Sequence, residues 1–186
     1  MSLPLILGIM IALLAAAIIW IYNGLVGKRQ MAENGWSDIA VQLKRRADLI
    51  PQIVTAVKAY AKHEKQLFID VTEKRNQAMA AGDDPKARGA AEGALGARTG
   101  RLIALAEDYP DLKANQNFLD LQNELSETED KIEMARRFYN GAVRELNIAI
   151  KSVPSNFVAG PFGFKPRDYF EIDASDAESP VVDFGS

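Results

Sequence analysis

Few side chains in this sequence combine a reactive type with a suggestive spacing. Glu129, Arg136, Asn140 and Asn147 are separated by 7, 4 and 7 positions, which places them on one stripe of a helix. Arg46 and Asp48 precede Pro51, and Glu64 falls in the apolar register of the same stretch. Two chemistries fit these residues. Glu64 and Glu129, with Arg136 beside them, suit a ligand-binding or proton-transfer site. Alternatively, Arg46, Asp48, Glu64, Glu129, Arg136, Asn140 and Asn147 form a structural polar network. In that reading Arg136 pairs with a carboxylate and the asparagines bond backbone groups freed near Pro51. Such a network sets helix register more than it adds stability, because desolvation offsets the pairing. We expect the structural network.

Other chemistries are excluded by residue type. The chain has 186 residues, no cysteine and one histidine, so a disulfide framework, a thiolate nucleophile and a cysteine-ligated metal are impossible. A di-iron bundle needs Glu-x-x-His on two helices. The sole histidine stands in His63-Glu64, a surface or cap context. No Gly-Lys-Ser phosphate loop, Gly-x-Ser-x-Gly elbow or His-Glu-x-x-His appears. We therefore expect no catalytic residues, no cofactor, no metal and no enzymatic activity.

The elements that must position these residues begin with a membrane segment. The chain is 48% apolar, enough to fill a core, and its net charge of −3 is unevenly spread. No charged residue occurs before Lys28, the body as far as Phe170 carries +2, and the last sixteen residues carry −5 with no basic side chain. No nucleic-acid partner is expected from such a distribution. Leu3 to Ile21 is almost wholly apolar and spans roughly 30 Å as a helix, the thickness of a bilayer's hydrocarbon. A cleaved signal peptide fits less well, since Ala15-Ala16-Ala17 is followed by further apolar residues and no basic region precedes the run. Trp20, Tyr22, Lys28 and Arg29 suit the bilayer–water boundary as interface anchors. Their one-sided basic charge predicts a single-pass protein of the bacterial inner membrane, N-terminus outside and C-terminal part cytoplasmic. Gly8, Ala12 and Ala16 form a small-xxx-small row through which two such helices would associate, although alanine is common in these segments.

Beyond residue 27 the pattern is helical. Phe118, Leu121, Leu125, Thr128, Ile132, Ala135, Tyr139, Ala142, Leu146, Ala149 and Val153 step by 3 and 4, widened by Phe138, Val143 and Ile150. They predict a bundle helix starting near Asp111, stopped by Pro154. A second stretch runs through Trp36, Ile39, Leu43, Ala47, Ile50, Val54, Val57, Ala61, Phe68 and Val71, with a kink or break expected at Pro51. Gly82-Asp83-Asp84-Pro85 is a turn in which Asp84 caps the next helix and Pro85 takes its first position. The segment Lys86 to Asp108 is rich in Ala and Gly, and Tyr109-Pro110 closes it. Short turns make sequential segments antiparallel neighbours. The expected fold is all-α: an N-terminal transmembrane helix (1–27) and an antiparallel up-and-down bundle of four-helix type (28–153). An irregular strap with Pro, Gly and Phe (154–170) and an acidic, disordered tail (171–186) follow.

The residues resemble a known family. Tyr22-Asn23, Trp36-Ser37-Asp38-Ile39, Val41-Gln42-Leu43-Lys44-Arg45-Arg46, Asp48-Leu49-Ile50-Pro51 and Tyr60-Ala61-xx-Glu64 are similar to the first half of the bacterial LemA family. Tyr109-Pro110-Asp111-Leu112-Lys113-Ala114, Phe118-xx-Leu121-Gln122-xx-Leu125, Glu129-xx-Ile132-xxx-Arg136, Tyr139-Asn140-xx-Val143 and Asn147 supply the second. The resemblance covers about residues 20–170 in order. It implies a single-pass membrane protein with an antiparallel helical bundle and assigns no activity. The first expectation for function is a membrane scaffold or adaptor acting by protein–protein contact or self-association, with the lipid bilayer and a homo-oligomer as partners. The second, resting on the family, is a regulator of a membrane protease or envelope-stress system. The third is a small-ligand bundle using the Glu/Arg network.

Overall fold

The computed structural model describes residues 2–172, and its regular elements are all helical: α1 (Leu3–Tyr60), α2 (Lys65–Ala80), α3 (Pro85–Glu107), α4 (Pro110–Lys113), α5 (Gln116–Lys151) and α6 (Asn156–Ala159). They form two compact units, and α1 and α5 each contribute to both. One unit comprises the chain as far as Ala40 together with Met134–Tyr169; the other comprises Val41–Glu133 and the segment from Phe170. The expected boundaries at 27/28 and 153/154 do not coincide with these units.

The unit of Val41–Glu133 contains four long helical segments, from α1, α2, α3 and α5. Heptad-spaced apolar residues produce it: Ile50, Ile53, Val57 and Ala61 meet Phe68, Val71 and Ala78 of α2, Leu95, Leu102 and Ala106 of α3, and Phe118 and Leu125 of α5. The turn at 81–84 is short, so α2 and α3 pack as antiparallel neighbours. Asp84 accepts a 2.8 Å hydrogen bond from the Ala87 amide, and Pro85 follows where its missing N–H costs nothing.

Two local expectations are corrected here. The last long helix does not start near Asp111. Pro110–Lys113 forms the separate short α4, and Asn115 restarts the chain by accepting from the amides of Asn117 (3.0 Å) and Phe118 (3.3 Å). Nor does Pro51 break its helix. α1 passes through it to Tyr60, and the interruption falls at residues 61–64 instead.

The other unit joins the first part of α1 to the end of α5 and the strap. Gly35 permits their close approach, since a Cβ there would stand 3.0 Å from the Phe138 ring and 3.1 Å from the Tyr139 Cα. Leu25, Val158, Ala159 and Phe164 are buried together, with Ile18, Ile21, Tyr22, Val26, Ala149 and Ile150 against them. The expected seam of α5 holds through Tyr139, Ala142 and Leu146, while Val153 lies beyond the helix and is exposed. Residues 3–17 are apolar yet exposed throughout. The acidic stretch expected to be disordered falls outside the described residues, except for Glu171 and Ile172.

Candidate functional site

The most concentrated chemistry is a buried arginine cluster within the unit of Val41–Glu133. Arg46 lies on the inward face of α1 at the register of Leu43, Ile50 and Ile53, and is 2% exposed. Its Nη1 donates to both carboxylate oxygens of Glu129 on α5, at 3.0 and 3.2 Å. Its Nη2 donates to the Glu92 backbone carbonyl at 3.0 Å and to Glu92 Oε2. The other oxygen of Glu92 accepts from Arg88 Nε, one helical turn earlier on α3, at 2.9 Å. Two guanidiniums thus face two carboxylates. Charges this deep persist only when matched in sign and hydrogen-bonded. The small residues of α3 leave room for the guanidinium: a Cβ on Gly96 would come only within ordinary contact of Nη1, at 3.9 Å. Thr99 and Thr128, also buried, return their hydroxyls to Leu95 and Glu124 carbonyls of their own helices.

A second polar device explains why α1 survives its proline. Pro51 has no N–H, so the Ala47 carbonyl loses its helical donor. Arg75 of α2 supplies the replacement, donating from Nε to Ala47 O at 2.5 Å. Asp48 stands beside it on the outer face, 3.9 Å from Arg75 Nη2 and 2.9 Å from Lys44 Nζ.

The unit of α1's first part and the strap has its own stitching. Asn147 bonds the strap backbone in both directions, donating to Arg167 O and accepting from Arg167 N, each at 2.9 Å. The Tyr139 hydroxyl donates to Asp168 O at 2.9 Å, and its ring packs 5.4 Å from Trp36. Arg167 reaches Glu33 at 2.6 Å.

The stripe residues are therefore not brought to one place. Arg46 and Glu129 meet, with Asp48 nearby on the outer face of the same helix. Glu64 is exposed, in the turn before α2, and not in the apolar seam. Arg136 and Asn140 are half-buried in the other unit. No described bond joins Arg136 to a carboxylate; Arg46 takes that role. The backbone freed by Pro51 is satisfied by Arg75, whereas Asn147 holds the strap.

Glu92, Arg88, Arg75, Arg167 and Glu33 were not anticipated. Glu92 had a readable signal: it opens the heptad series Leu95, Thr99, Leu102, Ala106 and has Arg88 four residues before it. Arg75 had none, because its partner is a backbone carbonyl on another helix. Among the described residues no group of three His, Cys, Asp or Glu is placed to hold a metal ion.

Of the residues expected to anchor at the membrane boundary, Trp20 is 78% exposed, Tyr22 packs on strap aromatics, Lys28 pairs with Glu145 at 3.4 Å and the Arg29 guanidinium lies 5.3 Å from the Phe164 ring centre. Gly8, Ala12 and Ala16 are exposed, and a Cβ on Gly8 would meet nothing within 4 Å. The helix that carries them is long and apolar enough to cross a membrane.

Comparison with known proteins adds two findings. A family model described as "LemA family" matches residues 35–184. Similar curated proteins include Magnetosome protein MamQ 2 of Paramagnetospirillum magneticum, 26% identical over 192 residues, covering 90% of this chain and 70% of that protein. Magnetosome protein MamQ of Magnetospirillum gryphiswaldense is 25% identical over 186 residues, with 87% and 68% covered. Protein LemA of Metamycoplasma hominis is 26% identical over 137 residues, with 74% and 63% covered.

Proposed function

We propose that this chain, which belongs to the LemA family, is a membrane-anchored helical scaffold or adaptor acting by protein–protein contact or self-association at a bacterial inner membrane. The observation that carries the reading is the first part of α1. Its residues 3–17 are apolar, long enough with those that follow to span a bilayer, and exposed throughout. Leaving that surface in water would forfeit roughly 1.5–3 kcal/mol for each large apolar side chain, whereas lipid accommodates it. The same helix carries Ile39, Leu43 and Ile50 of the core, so the anchor is covalently and helically continuous with packed structure.

Contact in place of catalysis is supported by how the buried charges are used. Both Glu92 oxygens are taken up by Arg46 and Arg88, and the side chain is enclosed. Val41 and Ile69, by contrast, are more than half exposed and offer apolar surface to a partner. The row Gly8, Ala12, Ala16 offers a second copy a close approach within the bilayer. The basic pair Lys28 and Arg29 at the end of the uncharged span supports a cytoplasmic C-terminal part by the positive-inside rule.

Crosslinking in native membranes tests the proposal. A discrete adduct, with itself or with a neighbour, is expected; a strictly monomeric chain with no captured neighbour would overturn it. A phosphatase fused after Ser186 should be inactive, and activity there would reverse the orientation.

A further inference from the structure

The anchor is not the only surface suited to lipid. The strap residues Val158, Ala159 and Phe164 turn inward and pack on Leu25, with Ile18, Ile21 and Tyr22 in the same cluster. The rings of Phe162 and Phe164 lie 5.0 and 5.7 Å from that of Tyr22. This fixes the strap at the level of residues 18–25. That is the level at which the apolar span ends and Lys28 begins the charged part of the chain.

The strap and the residues that lead into it also carry apolar side chains that are exposed. Val153 and Phe157 are each 72% exposed and Phe162 is 56% exposed. Ser152 to Gly163 contains no charged residue, yet Lys151 and Lys165 bracket it and both are exposed. Uncharged, aromatic and flanked by lysines is the composition that suits the headgroup–acyl boundary. Rings enter the apolar side, and ammonium groups stay with the phosphates.

We propose that the strap is a second membrane contact, a collar around the exit of the anchor in which Val153, Phe157 and Phe162 insert into the bilayer's interfacial layer and Lys151 and Lys165 meet lipid phosphates. The proposal rests on the membrane-anchored reading of α1. The occupant is the bilayer and not a partner protein, because the exposed Phe162 packs on Tyr22, which belongs with Ile21 and Ile18 to the cluster at the end of the span itself. A protein partner docking there would have to displace lipid already touching the anchor.

The absence of cysteine makes the test clean. Single variants Ile11→Cys, Phe157→Cys, Phe162→Cys and Met134→Cys of the full chain each carry one environment-sensitive fluorophore after reconstitution in phosphatidylcholine–phosphatidylglycerol vesicles. Met134 is exposed, belongs to the same unit and lies about 25 Å along α5 from Lys151, so it serves as the aqueous reference. Labels at 157 and 162 should emit to the blue of the label at 134 and be quenched several-fold more by lipids with a shallow quencher than by lipids with a deep one. The label at 11 should respond most to the deep quencher. If position 11 is lipid-quenched while 157 and 162 emit as 134 does, the collar is overturned and the anchor stands. If 157 and 162 are blue-shifted but unaffected by lipid quenchers, protein covers the patch and the collar again falls. If position 11 is itself aqueous, the anchored reading fails and takes the collar with it.

Discussion

At the scale of single residues, two arginines show how side chains far apart in sequence decide what α1 can do. Glu92 is enclosed between Arg46 and Arg88, so Glu92→Ala would leave the buried Arg46 and the half-buried Arg88 each short of a partner and should cost about 3–5 kcal/mol. Glu129 binds the same Arg46, but its side chain is 43% exposed and water can replace it, so Glu129→Ala should cost about 1 kcal/mol or less. Urea unfolding of both variants checks the ordering, and equal losses would contradict the enclosed geometry. Arg75 makes a different prediction. Arg75→Met strands the Ala47 carbonyl and should cost about 1–3 kcal/mol, but in a Pro51→Ala background the restored amide answers that carbonyl. The two changes should therefore be strongly non-additive in a double-mutant cycle. Additive losses would mean that Arg75 acts only through Asp48. Glu129 was legible from helical spacing and Arg46 from its place before Pro51. Arg75 was not, since a proline announces a missing donor but never which distant side chain replaces it.

At the scale of elements, periodicity was a good guide to faces and a poor one to ends. The α5 seam and the Asp84–Pro85 start of α3 follow from local chemistry, and the structure has them. The division at residues 61–64 has no proline to mark it, and the restart at Asn115 rests on a two-residue cap easily absorbed into a longer apolar pattern. The glycines of α3 were read as permitting close packing in general, yet they differ sharply. A Cβ on Gly89 would lie 2.0 Å from the backbone carbonyl oxygen of Glu171, while on Gly100 it would meet nothing within 4 Å. Gly100→Ala should follow helix propensity and stabilise by about 0.5–1 kcal/mol. Gly89→Ala should reverse the sign, because backbone cannot step aside as a flexible side chain can, and should speed amide exchange at Glu171 and Ile172. Thermal unfolding of the pair reads this directly; stabilisation by both would show that the Glu171 backbone does not lie on α3.

At the scale of the whole chain, charge bookkeeping located the anchor but hid what the anchor is packed with. A span ending near residue 27 looks separable, and cutting there is the usual route to a soluble bundle. The contacts argue otherwise for one unit and not for the other. Leu25 is 2% exposed because Val158, Ala159 and Phe164 cover it, so the strap folds onto residues a truncation would remove. The core cluster around Ile50, Phe68, Leu95 and Phe118 is built from buried residues between Leu49 and Leu125, all of them beyond such a cut. A chain beginning at Lys28 should therefore keep slow amide exchange in α2 and α3, while the amides of Val158 and Ala159, and of Phe164, which donates to the Ala159 carbonyl at 3.0 Å, should approach unprotected rates. Full-length protein in vesicles should protect both sets. The strap lost from the short chain would be lost for want of Tyr22 and Leu25, and adding back residues 18–27 without the rest of the span should restore part of its protection. Were the strap equally protected without them, its hold would come from Asn147, Tyr139 and the Arg167–Glu33 pair, and the packing on Leu25 would be a consequence of that stitching and not its cause.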